Sequence, residues 1–233
     1  MSKPIQHLPY QIDESGNRHH FYENHWKRVG LELLMRHCPP HGQSVLDYGC
    51  GRGEFLSMAG AAGYHVTGTD IDPQCVSLAA QKGTAVLLQP GDPVSQFGPR
   101  SFDIVACFHV LEHVDNPKLV LSGLARIARQ YLILAVPNLR NLIWLFHRHI
   151  RPDYVNEGHL QSWDHYHFLN LAHRHCGLEL VEWGFDATAL PLLSRLSGKL
   201  LGEKMQIRLE TGPFKKLFPY HGISVLGLFR PRS

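Results

Sequence analysis

Short apolar runs and amphipathic segments alternate along the chain. The apolar runs are rich in Val, Ile and Leu and predict strands at 44–48, 65–70, 84–88, 102–108, 131–136, 178–185 and 222–229. The segments between them have helical spacing and predict helices at about 18–37, 53–62, 73–82, 117–129, 164–175 and 190–204. Strands and helices repeated in this order predict an α/β fold with a parallel sheet, right-handed crossovers and helices on both faces.

The regular alternation stops after Pro137. Residues 139–160 are interpreted as an insertion that carries the apolar run Leu142–Phe146. With 233 residues, the chain is predicted to form one domain, since single α/β domains often reach this size. Its predicted parts are a flexible N-terminus (1–17), an N-terminal helix (18–42), a ligand-binding half (43–137), acceptor-side insertions with a lid (138–220) and a last strand (221–233).

Composition narrows the class of protein. Apolar residues make up 44% of the chain and charged residues 18%, which is typical of a folded protein. A net charge of +3 does not indicate a nucleic-acid partner. Five cysteines without a C-x-x-C pair predict reduced thiols in a cytoplasmic protein. No signal peptide or membrane-spanning run is found, so peripheral contact is the closest association with a membrane that the sequence predicts.

A glycine-rich turn follows the first predicted strand. The segment Val45–Phe55 runs from apolar residues into Asp47-x-Gly49-x-Gly51-x-Gly53 and then into a helix. Glycines at the carboxyl end of a first strand allow a tight turn and close approach of a ligand. A strand–helix turn without a ligand is the structural alternative, but the strand–turn–helix context favours a binding loop.

Asp70 ends the second predicted strand, about twenty residues beyond the glycines. A carboxylate at this place accepts hydrogen bonds from ribose hydroxyls, which would also suit NAD and an oxidoreductase. Asp47 and the glycine spacing depart from the dinucleotide Gly-x-Gly-x-x-Gly pattern, and no helix N-terminus is dedicated to a pyrophosphate. A sulfonium nucleoside carries no phosphate and fits better.

With these motifs the chain resembles the class I S-adenosylmethionine-dependent methyltransferases over residues 43–137. Asp47–Gly53 is similar to their glycine loop, and Gly68–Asp70 is similar to their ribose site. Ser101–Val105 followed by His109–Val114 resembles the fourth-strand motif of the small-molecule and quinone-biosynthesis branch. The resemblance implies a Rossmann-like, doubly wound sheet of seven strands, mostly parallel with an antiparallel last strand.

The resemblance also implies a cofactor, S-adenosyl-L-methionine, and the residues that hold it. The glycine loop would hold its amino-acid part, Asp70 its ribose, and Asp92 would lie near adenine, although a plain turn aspartate is the alternative at that position. The implied cofactor contacts are Asp47, Gly49, Cys50, Gly51, Gly53, Asp70, Ile71, Asp92 and His109.

Histidines after the fourth and fifth strands are the candidates for acceptor chemistry. His109 is predicted to line the cofactor pocket through its backbone, and His113 is predicted to have a structural role. Family members commonly carry a His-x-x-x-aromatic segment where this chain has His159–Trp163, and it often borders the acceptor. A base is optional in methyl transfer, and His159 or His167 is the predicted base for an oxygen nucleophile.

A metal site is the alternative use of these histidines. His165 and His167 are two residues apart on a predicted helix, so their side chains point in different directions and do not easily share an ion. Asp164 is predicted to cap that helix. No metal ligand is therefore assigned.

The leucine-rich helix at 190–204 has several interpretations. Its leucines would cover the sheet, mediate a dimer, form a lid over an apolar acceptor or lie at a membrane surface; core or lid is favoured. The predicted activity is methyl transfer to a small molecule, most simply O-methylation, by a monomer or homodimer; a hydrophobic acceptor is favoured over a sugar. A non-catalytic homologue that binds the cofactor or stabilises a partner subunit is the alternative from another class.

Overall fold

A computed structural model describes residues 18–88, 95–143 and 158–232, with side chains from Asn24 onward. Three predictions lie outside the described residues: the flexible segment 1–17, the adenine contact Asp92 and most of the apolar run Leu142–Phe146.

One sheet organises the described residues. Its strands are β1 (Ser44–Tyr48), β2 (His65–Asp70), β3 (Thr84–Leu87), β4 (Phe102–Phe108), β5 (Ala128–Pro137), β6 (Leu178–Phe185) and β7 (Ser224–Pro231). They lie in the order β3-β2-β1-β4-β5-β7-β6. The first five strands pair in parallel, and β7 is antiparallel to both β5 and β6. The predicted seven-stranded, mostly parallel sheet with an antiparallel last strand is confirmed.

Helices connect the strands. They are α1 (Arg18–His37), α2 (Glu54–Ala62), α3 (Pro73–Ala79), α4 (Pro117–Ile127), α5 (His165–Asn170), α6 (Pro191–Leu201), α7 (Glu203–Thr211) and α8 (Pro213–Leu217). A single 3₁₀ turn, Leu111–His113, follows β4, and α5 continues into a π-helical turn at Leu171–His175. Asp164 caps α5 as predicted, because its carboxylate accepts a hydrogen bond from the His167 amide at 2.9 Å.

The sheet separates two apolar cores because successive side chains of a strand point to opposite faces. In β4, Val105 and Cys107 lie on one face, and Ile104 and Ala106 lie on the other. The first face packs against α4 and α5, through Leu121, Leu124 and Phe168. The second face packs against α1 and α2, through Leu33, Leu34 and Phe55. The predicted coverage of both faces by helices is confirmed.

Two predicted boundaries are wrong. The continuous helix at 190–204 is interrupted by Gly202, whose φ of 83° lies in the left-handed region, where a right-handed helix cannot continue. Strand β5 begins at Ala128 rather than 131, since the exposed Arg129 and Gln130 extend it beyond its apolar part. Polar residues at a strand end weaken the apolar signal on which the prediction depended.

The leucines of α6 do not belong to a core. Ser194 and Ser197 are buried on the inner side of this helix. The exposed fractions of the leucines range from 53% to 68%, for Leu192, Leu193, Leu196, Leu200 and Leu201. The core interpretation is therefore wrong, and we call these five residues the leucine face.

Candidate active site

The carboxyl ends of β1, β2 and β4 meet at one edge of the sheet because these neighbouring strands are parallel. Asp47 of β1 pairs in register with Gly68 of β2 and with Ala106 of β4. Asp70 is the last residue of β2, and His109 directly follows β4. The fold thus brings the glycine loop, the predicted ribose site and the histidine motif to a single edge, where open α/β sheets bind ligands.

The glycine loop needs its glycines for two different reasons. Gly49, Gly51 and Gly53 have φ values of 76°, 52° and 78°, in the left-handed region that disfavours other residues. A Cβ atom on Gly49 would overlap Cγ2 of Val110, so this glycine allows the motif after β4 to pack on the loop. A Cβ atom on Gly51 would have no heavy atom within 4 Å, so the space beside this residue is open to a ligand.

Four backbone amides of the loop donate hydrogen bonds to other groups of the protein. Gly49 and Cys50 donate to the carbonyl oxygen of Thr69 at 2.8 and 2.9 Å. Gly51 donates to Oδ2 of Asp70 at 2.9 Å, and Gly53 donates to the carbonyl oxygen of Cys50 at 3.0 Å. These amides do not form the cradle of free N–H groups that a pyrophosphate needs, which disfavours a dinucleotide.

Cys50 turns its side chain into the protein. The thiol packs beside Gly68, Leu56 and Ala79, and burial raises its pKa. The predicted cofactor contact of Cys50 would therefore be made by its backbone.

Asp47 is a buried acid with an unused oxygen. The residue is 2% exposed, and its Oδ2 has no hydrogen-bond partner among the described residues. Burial raises its pKa to about 7, with Lys27 acting in the opposite direction and Glu54 adding to the increase. Lys27 is itself paired with Glu54 at 3.0 Å. An unpaired buried carboxylate is costly, so Asp47 is ready to receive a donor or a cation.

Asp70 joins the loop to the start of α3. Its Oδ1 accepts from the Asp72 amide at 3.0 Å, while Oδ2 accepts from Gly51. The carboxylate is partly exposed and each oxygen keeps a further lone pair, so both can still accept from ribose hydroxyls. Ile71 beside it is 59% exposed and offers an apolar surface to a ligand.

His109 is held on three sides. Its backbone has a φ of 54°, which turns the chain sharply after β4. Its Nδ1 lies 3.0 Å from Oε1 of Glu112, and its Nε2 lies 3.0 Å from Oγ of Ser224. The ring of Trp26 lies 4.3 Å from the imidazole, centroid to centroid. The side chain of His109 is thus fixed as a wall of this edge, rather than contributing only its backbone.

Ser224, Asp186 and Trp26, which the prediction did not assign, lie next to His109. Asp186 is fully buried; its Oδ1 accepts from the Ser224 amide at 2.8 Å, and its Oδ2 has no partner among the described residues. Burial raises the pKa of Asp186 to about 6. Nε1 of Trp26 is also buried and without a partner in the described part of the chain. These residues are far apart in sequence and are brought together only by the fold, so no local motif identified them.

The loop after residue 157 docks on the 3₁₀ turn. The carbonyl oxygen of Glu112 accepts from the amides of Leu160 and Gln161 at 2.7 and 3.2 Å. The ring of His113 lies 2.9 Å, through Nδ1, from the carbonyl oxygen of Gly158 and 4.8 Å from the ring of His159, centroid to centroid. Desolvation by burial lowers the pKa of His159 and so favours its neutral form. This docking brings His159 beside the motif that follows β4.

The two predicted bases occupy different places. His159 lies at the docked loop, whereas the side chain of His167 is 78% exposed and pairs with Asp164 at 2.9 Å. His165 is buried and stacks on Tyr220, with ring centroids 5.4 Å apart. His165 therefore lies in a buried aromatic environment, whereas His167 faces solvent. Among the described residues, the group that could hold a metal ion is instead Glu112, His113 and His159.

The donor set at this edge fits S-adenosylmethionine. The unused buried oxygen of Asp47 suits a cationic ammonium group, Asp70 suits ribose, and the open space at Gly51 leaves room for a ligand near the loop. In the described part of the chain, no helix is long and apolar enough to cross a membrane.

Comparisons with known proteins agree with this geometry. The model of a methyltransferase domain family matches residues 18–189. A ubiquinone biosynthesis O-methyltransferase of Xylella fastidiosa is 25% identical over 176 residues, which cover 66% of this chain and 68% of that protein. The corresponding enzyme of Albidiferax ferrireducens is 33% identical over 106 residues, which cover 42% of each protein. The chain therefore spans less than half of this second relative.

Solved structures share the fold at lower identity. A methyltransferase from Archaeoglobus fulgidus has a TM-score of 0.62 at 20% identity, and the match covers 92% of this chain and 100% of that protein. Magnesium protoporphyrin IX methyltransferase from Synechocystis, with bound S-adenosylhomocysteine, has a TM-score of 0.61 at 18% identity, covering 91% and 84%. A [4+2]-cyclase has a TM-score of 0.57 at 15% identity, covering 88% and 80%, so the fold alone does not determine the reaction.

Proposed function

The chain belongs to the methyltransferase domain family, and from this premise we propose that it transfers the methyl group of S-adenosylmethionine to an oxygen atom of a small, apolar acceptor. The family and its S-adenosylmethionine-dependent methyl transfer are shared with the relatives described above. The acceptor, the atom that is methylated and the role of each residue are our proposals.

The observation that carries the proposal is the chemistry of the glycine loop. Four of its amides are bonded internally, so the ligand is one that needs few backbone donors. The polar groups that remain available to a ligand are the carboxylates of Asp47 and Asp70. A cofactor with a cationic amino-acid part, two ribose hydroxyls and no phosphate matches this set, whereas the pyrophosphate of NAD does not.

Asp47 and Asp70 would hold opposite parts of the cofactor. Asp47 would pair with the ammonium group and Asp70 would accept from the ribose hydroxyls. Ile71 would pack on the nucleoside, while Asp92 remains the proposed adenine contact. The methyl group would then be presented toward His109, at the end of β4.

Transfer requires a deprotonated acceptor oxygen aligned with the methyl group. The acceptor hydroxyl loses its proton, its oxygen forms a bond to the methyl carbon, and the carbon–sulfur bond breaks to release S-adenosylhomocysteine. The chain contributes mainly by positioning the reactants and excluding water. Trp26 and His109 form a fixed wall beside this position, and of the two predicted bases we propose that His159 acts here and His167 does not.

An apolar acceptor is supported by the leucine face of α6. Residues 190–220 carry six basic and two acidic side chains, a net charge of +4, while the whole chain has +3. Exposed leucines on a helix in a basic segment match the surface of an anionic bilayer, into which the leucines insert while the cations meet lipid phosphates. We propose that the enzyme meets its acceptor at such a surface.

The first test is calorimetric titration with S-adenosylhomocysteine, with NADH in parallel. The proposal predicts micromolar binding of the former alone. Binding of NADH alone would reverse the assignment of the cofactor. Binding of neither by folded protein would contradict the proposed site.

The second test measures turnover with labelled S-adenosylmethionine and a panel of apolar phenols, with sugars as controls. The proposal predicts label in the phenol fraction and the formation of S-adenosylhomocysteine. Tight cofactor binding without product across the panel would favour a non-catalytic homologue.

A further inference from the structure

We propose that Asp186 is the base of the transfer: its Oδ2 takes the proton of the acceptor hydroxyl while the indole N–H of Trp26 binds the acceptor oxygen. This role rests on the proposed function, but the binding of a hydroxyl group can be tested without turnover. Asp186 then takes the proton in place of His159, which the sequence had suggested as the base.

The sheet topology brings Asp186 to the edge that carries the glycine loop. Strand β7 is antiparallel to both β5 and β6, so β6 runs in the same direction as the five parallel strands. Asp186 directly follows β6, and Ser224 is the first residue of β7. Both therefore lie at the same edge as His109, where the carboxyl ends of the strands bind ligands in open α/β sheets.

Short contacts connect Asp186 to the wall that His109 and Trp26 form. Oδ1 of Asp186 accepts a hydrogen bond from the Ser224 amide at 2.8 Å. Oγ of Ser224 lies 3.0 Å from Nε2 of His109, and the imidazole lies 4.3 Å from the ring of Trp26, centroid to centroid. Asp186 and Trp26 thus adjoin the same pair of residues, Ser224 and His109.

Two polar atoms of this cluster have no hydrogen-bond partner in the described part of the chain, Oδ2 of Asp186 and Nε1 of Trp26. Asp186 is fully buried at 0% exposure, and an unpaired carboxylate oxygen there is costly. An indole N–H can only donate, and an ionised carboxylate can only accept. A hydroxyl group does both, so one hydroxyl of a ligand would satisfy both atoms.

The surroundings of Asp186 make it a stronger base than an exposed aspartate. Burial raises its pKa to about 6, while the Ser224 hydrogen bond, His109 and Lys215 of α8 act in the opposite direction. The carboxylate is therefore ionised at neutral pH, yet its pKa is closer to that of a hydroxyl than the usual value, which favours general-base catalysis. Around Lys215 lie two further titratable groups, both on α1, His25 and Glu32.

Gly222 leaves room for the carboxylate. A Cβ atom at this position would lie 3.0 Å from Oδ1 of Asp186 and 3.1 Å from Cβ of Phe185. Oδ2 of Asp186 is covered in this structure, so a side chain beside it has to move before an acceptor can reach it. Trp26 is only partly buried, and its indole would shift to admit the hydroxyl and then bind it.

The transfer balances without a further reactant. Oδ2 of Asp186 takes the proton, and the acceptor oxygen keeps the electron pair of the O–H bond. This oxygen bonds to the methyl carbon, and the carbon–sulfur bond breaks with its electron pair left on sulfur. A further lone pair of the oxygen accepts from the N–H of Trp26. Asp186 releases its proton to solvent when the methylated product leaves.

The first experiment measures binding of two probes to the full-length protein saturated with S-adenosylhomocysteine. The probes are 4-methylphenol and 4-methylanisole, which differ by a methyl group in place of the hydroxyl hydrogen. At pH 8 the phenol should bind at least about tenfold more tightly, as expected for a hydrogen bond to a charged group. At pH 5, below the Asp186 pKa of about 6, this preference should shrink to a few-fold.

Asp186→Asn should lose most of the preference at pH 8 and all of its pH dependence, because the amide carries no charge. The amide oxygen can still accept from the Ser224 amide, so the wall stays in place. Glu179→Gln is the matched control, since this carboxylate lies on the same strand, β6, and its side chain is 60% exposed. It should leave the preference unchanged.

Trp26→Phe is the second variant, and it keeps the proposal testable if circular dichroism shows that Asp186→Asn does not fold. It retains a ring against His109 but removes the indole N–H. The affinity for the phenol should fall a few-fold, as for the loss of one hydrogen bond, while the pH dependence that Asp186 causes should remain.

Turnover of the phenol separates proton transfer from binding. In the wild type, kcat/KM should fall as the pH drops below about 6. Asp186→Asn should lower kcat about a hundredfold or more and remove this acid limb. An acid limb that persists in the variant would assign the proton to another group and overturn the proposal.

The remaining outcomes are also distinct. If folded wild type with bound S-adenosylhomocysteine does not prefer the phenol, or if Asp186→Asn keeps the full preference, Asp186 only holds Ser224 and the proposal is wrong. Normal binding of S-adenosylhomocysteine would then leave the proposed function intact. Failure of the wild type to bind S-adenosylhomocysteine, or to methylate any phenol, would count against the function instead, and the probe preference would still decide the role of Asp186.

Discussion

The Cγ2 methyl group of Val110 occupies the space that a side chain on Gly49 would need. The two residues lie at the ends of neighbouring strands, β4 and β1, and their contact packs the histidine motif on the glycine loop. The cofactor side and the acceptor side of the site are therefore parts of one packed unit.

Gly49→Ala is expected to disrupt this unit. The new methyl group would overlap Val110, and a φ of 76° costs a non-glycine residue about 1 kcal/mol or more. Affinity for S-adenosylhomocysteine should fall at least about tenfold in calorimetry.

Two companion variants separate the overlap with Val110 from the strain of the backbone. Val110→Ala in the same chain should recover part of the affinity, because it removes the overlap but not the backbone strain. Gly60→Ala, on the exposed side of α2 where a Cβ atom would meet nothing within 4 Å, should leave binding unchanged and raise the melting temperature slightly. Full affinity in Gly49→Ala would mean that the loop is not the binding element.

Asp70→Ala should weaken binding of S-adenosylhomocysteine by about tenfold or more, since it removes acceptors for the ribose hydroxyls and for the Gly51 amide. Asp70→Asn should have a smaller effect because one acceptor oxygen remains. Glu179→Ala, an exposed acid on β6, serves as the charge-matched control. Unchanged affinity in folded Asp70→Ala protein would remove this residue from the site.

Asp47 predicts a pH dependence of cofactor binding. Its pKa is raised from 3.8 to about 7 by burial, so the carboxylate is largely protonated at pH 6 and ionised at pH 8. Because the ionised form attracts the ammonium group, affinity should rise with pH across this window and binding should release a proton. Titrations in two buffers of different ionisation enthalpy measure that proton. Asp47→Asn should abolish both effects, and a flat profile in the wild type would contradict the assignment.

Asp186 predicts a pH dependence of stability. Burial raises its folded pKa to about 6 from 3.8, so between these values the folded state binds more protons than the unfolded state. Its contribution is therefore most favourable below pH 3.8 and is lost as the pH rises through 6. At about 1.4 kcal/mol per pKa unit, Asp186→Asn should raise the free energy of unfolding at pH 7.5 by up to about 3 kcal/mol.

Urea unfolding at pH 7.5 and at pH 4 checks this expectation. The amide oxygen of asparagine can still accept from the Ser224 amide, so the variant isolates the buried charge. The gain should shrink toward zero at pH 4. An equal effect at both pH values would show that the charge is not its cause.

The leucine face predicts binding to anionic vesicles. Replacing Leu193, Leu196 and Leu200 together with Gln should abolish sedimentation with phosphatidylglycerol vesicles while the fold survives, because these side chains are exposed. Leu119→Gln, at a leucine of α4 that is 61% exposed, is the matched control. Binding should fall with added salt and be weak to phosphatidylcholine. A dimer that the triple substitution dissociates, without vesicle binding, would assign this face to a second copy instead.

Local patterns in the sequence were sufficient for the scaffold of the site. The short apolar runs identified the strands, and the glycine loop and Asp70 were found because each lies at a strand end that the same pattern defines. Such features depend on neighbours within a few residues. Boundaries were less certain where polar residues extend a strand, as at Arg129, or where a single glycine such as Gly202 interrupts a helical pattern.

The acceptor side was decided by tertiary structure. The sequence could name His109, His113, His159 and His167 as candidates, but only the docking of residues 158–161 on the 3₁₀ turn separates His159 from His167. The burial of Glu112 and Asp186 depends on helices and strands that are far away along the chain, and so do their unpaired oxygens. Hydrophobic periodicity shows that α6 has an apolar side, whereas only packing shows that this side faces outward, because small serines fill the inner contact. Local sequence patterns therefore determined the strands, the helices and the cofactor loop. Long-range contacts determined which polar groups meet.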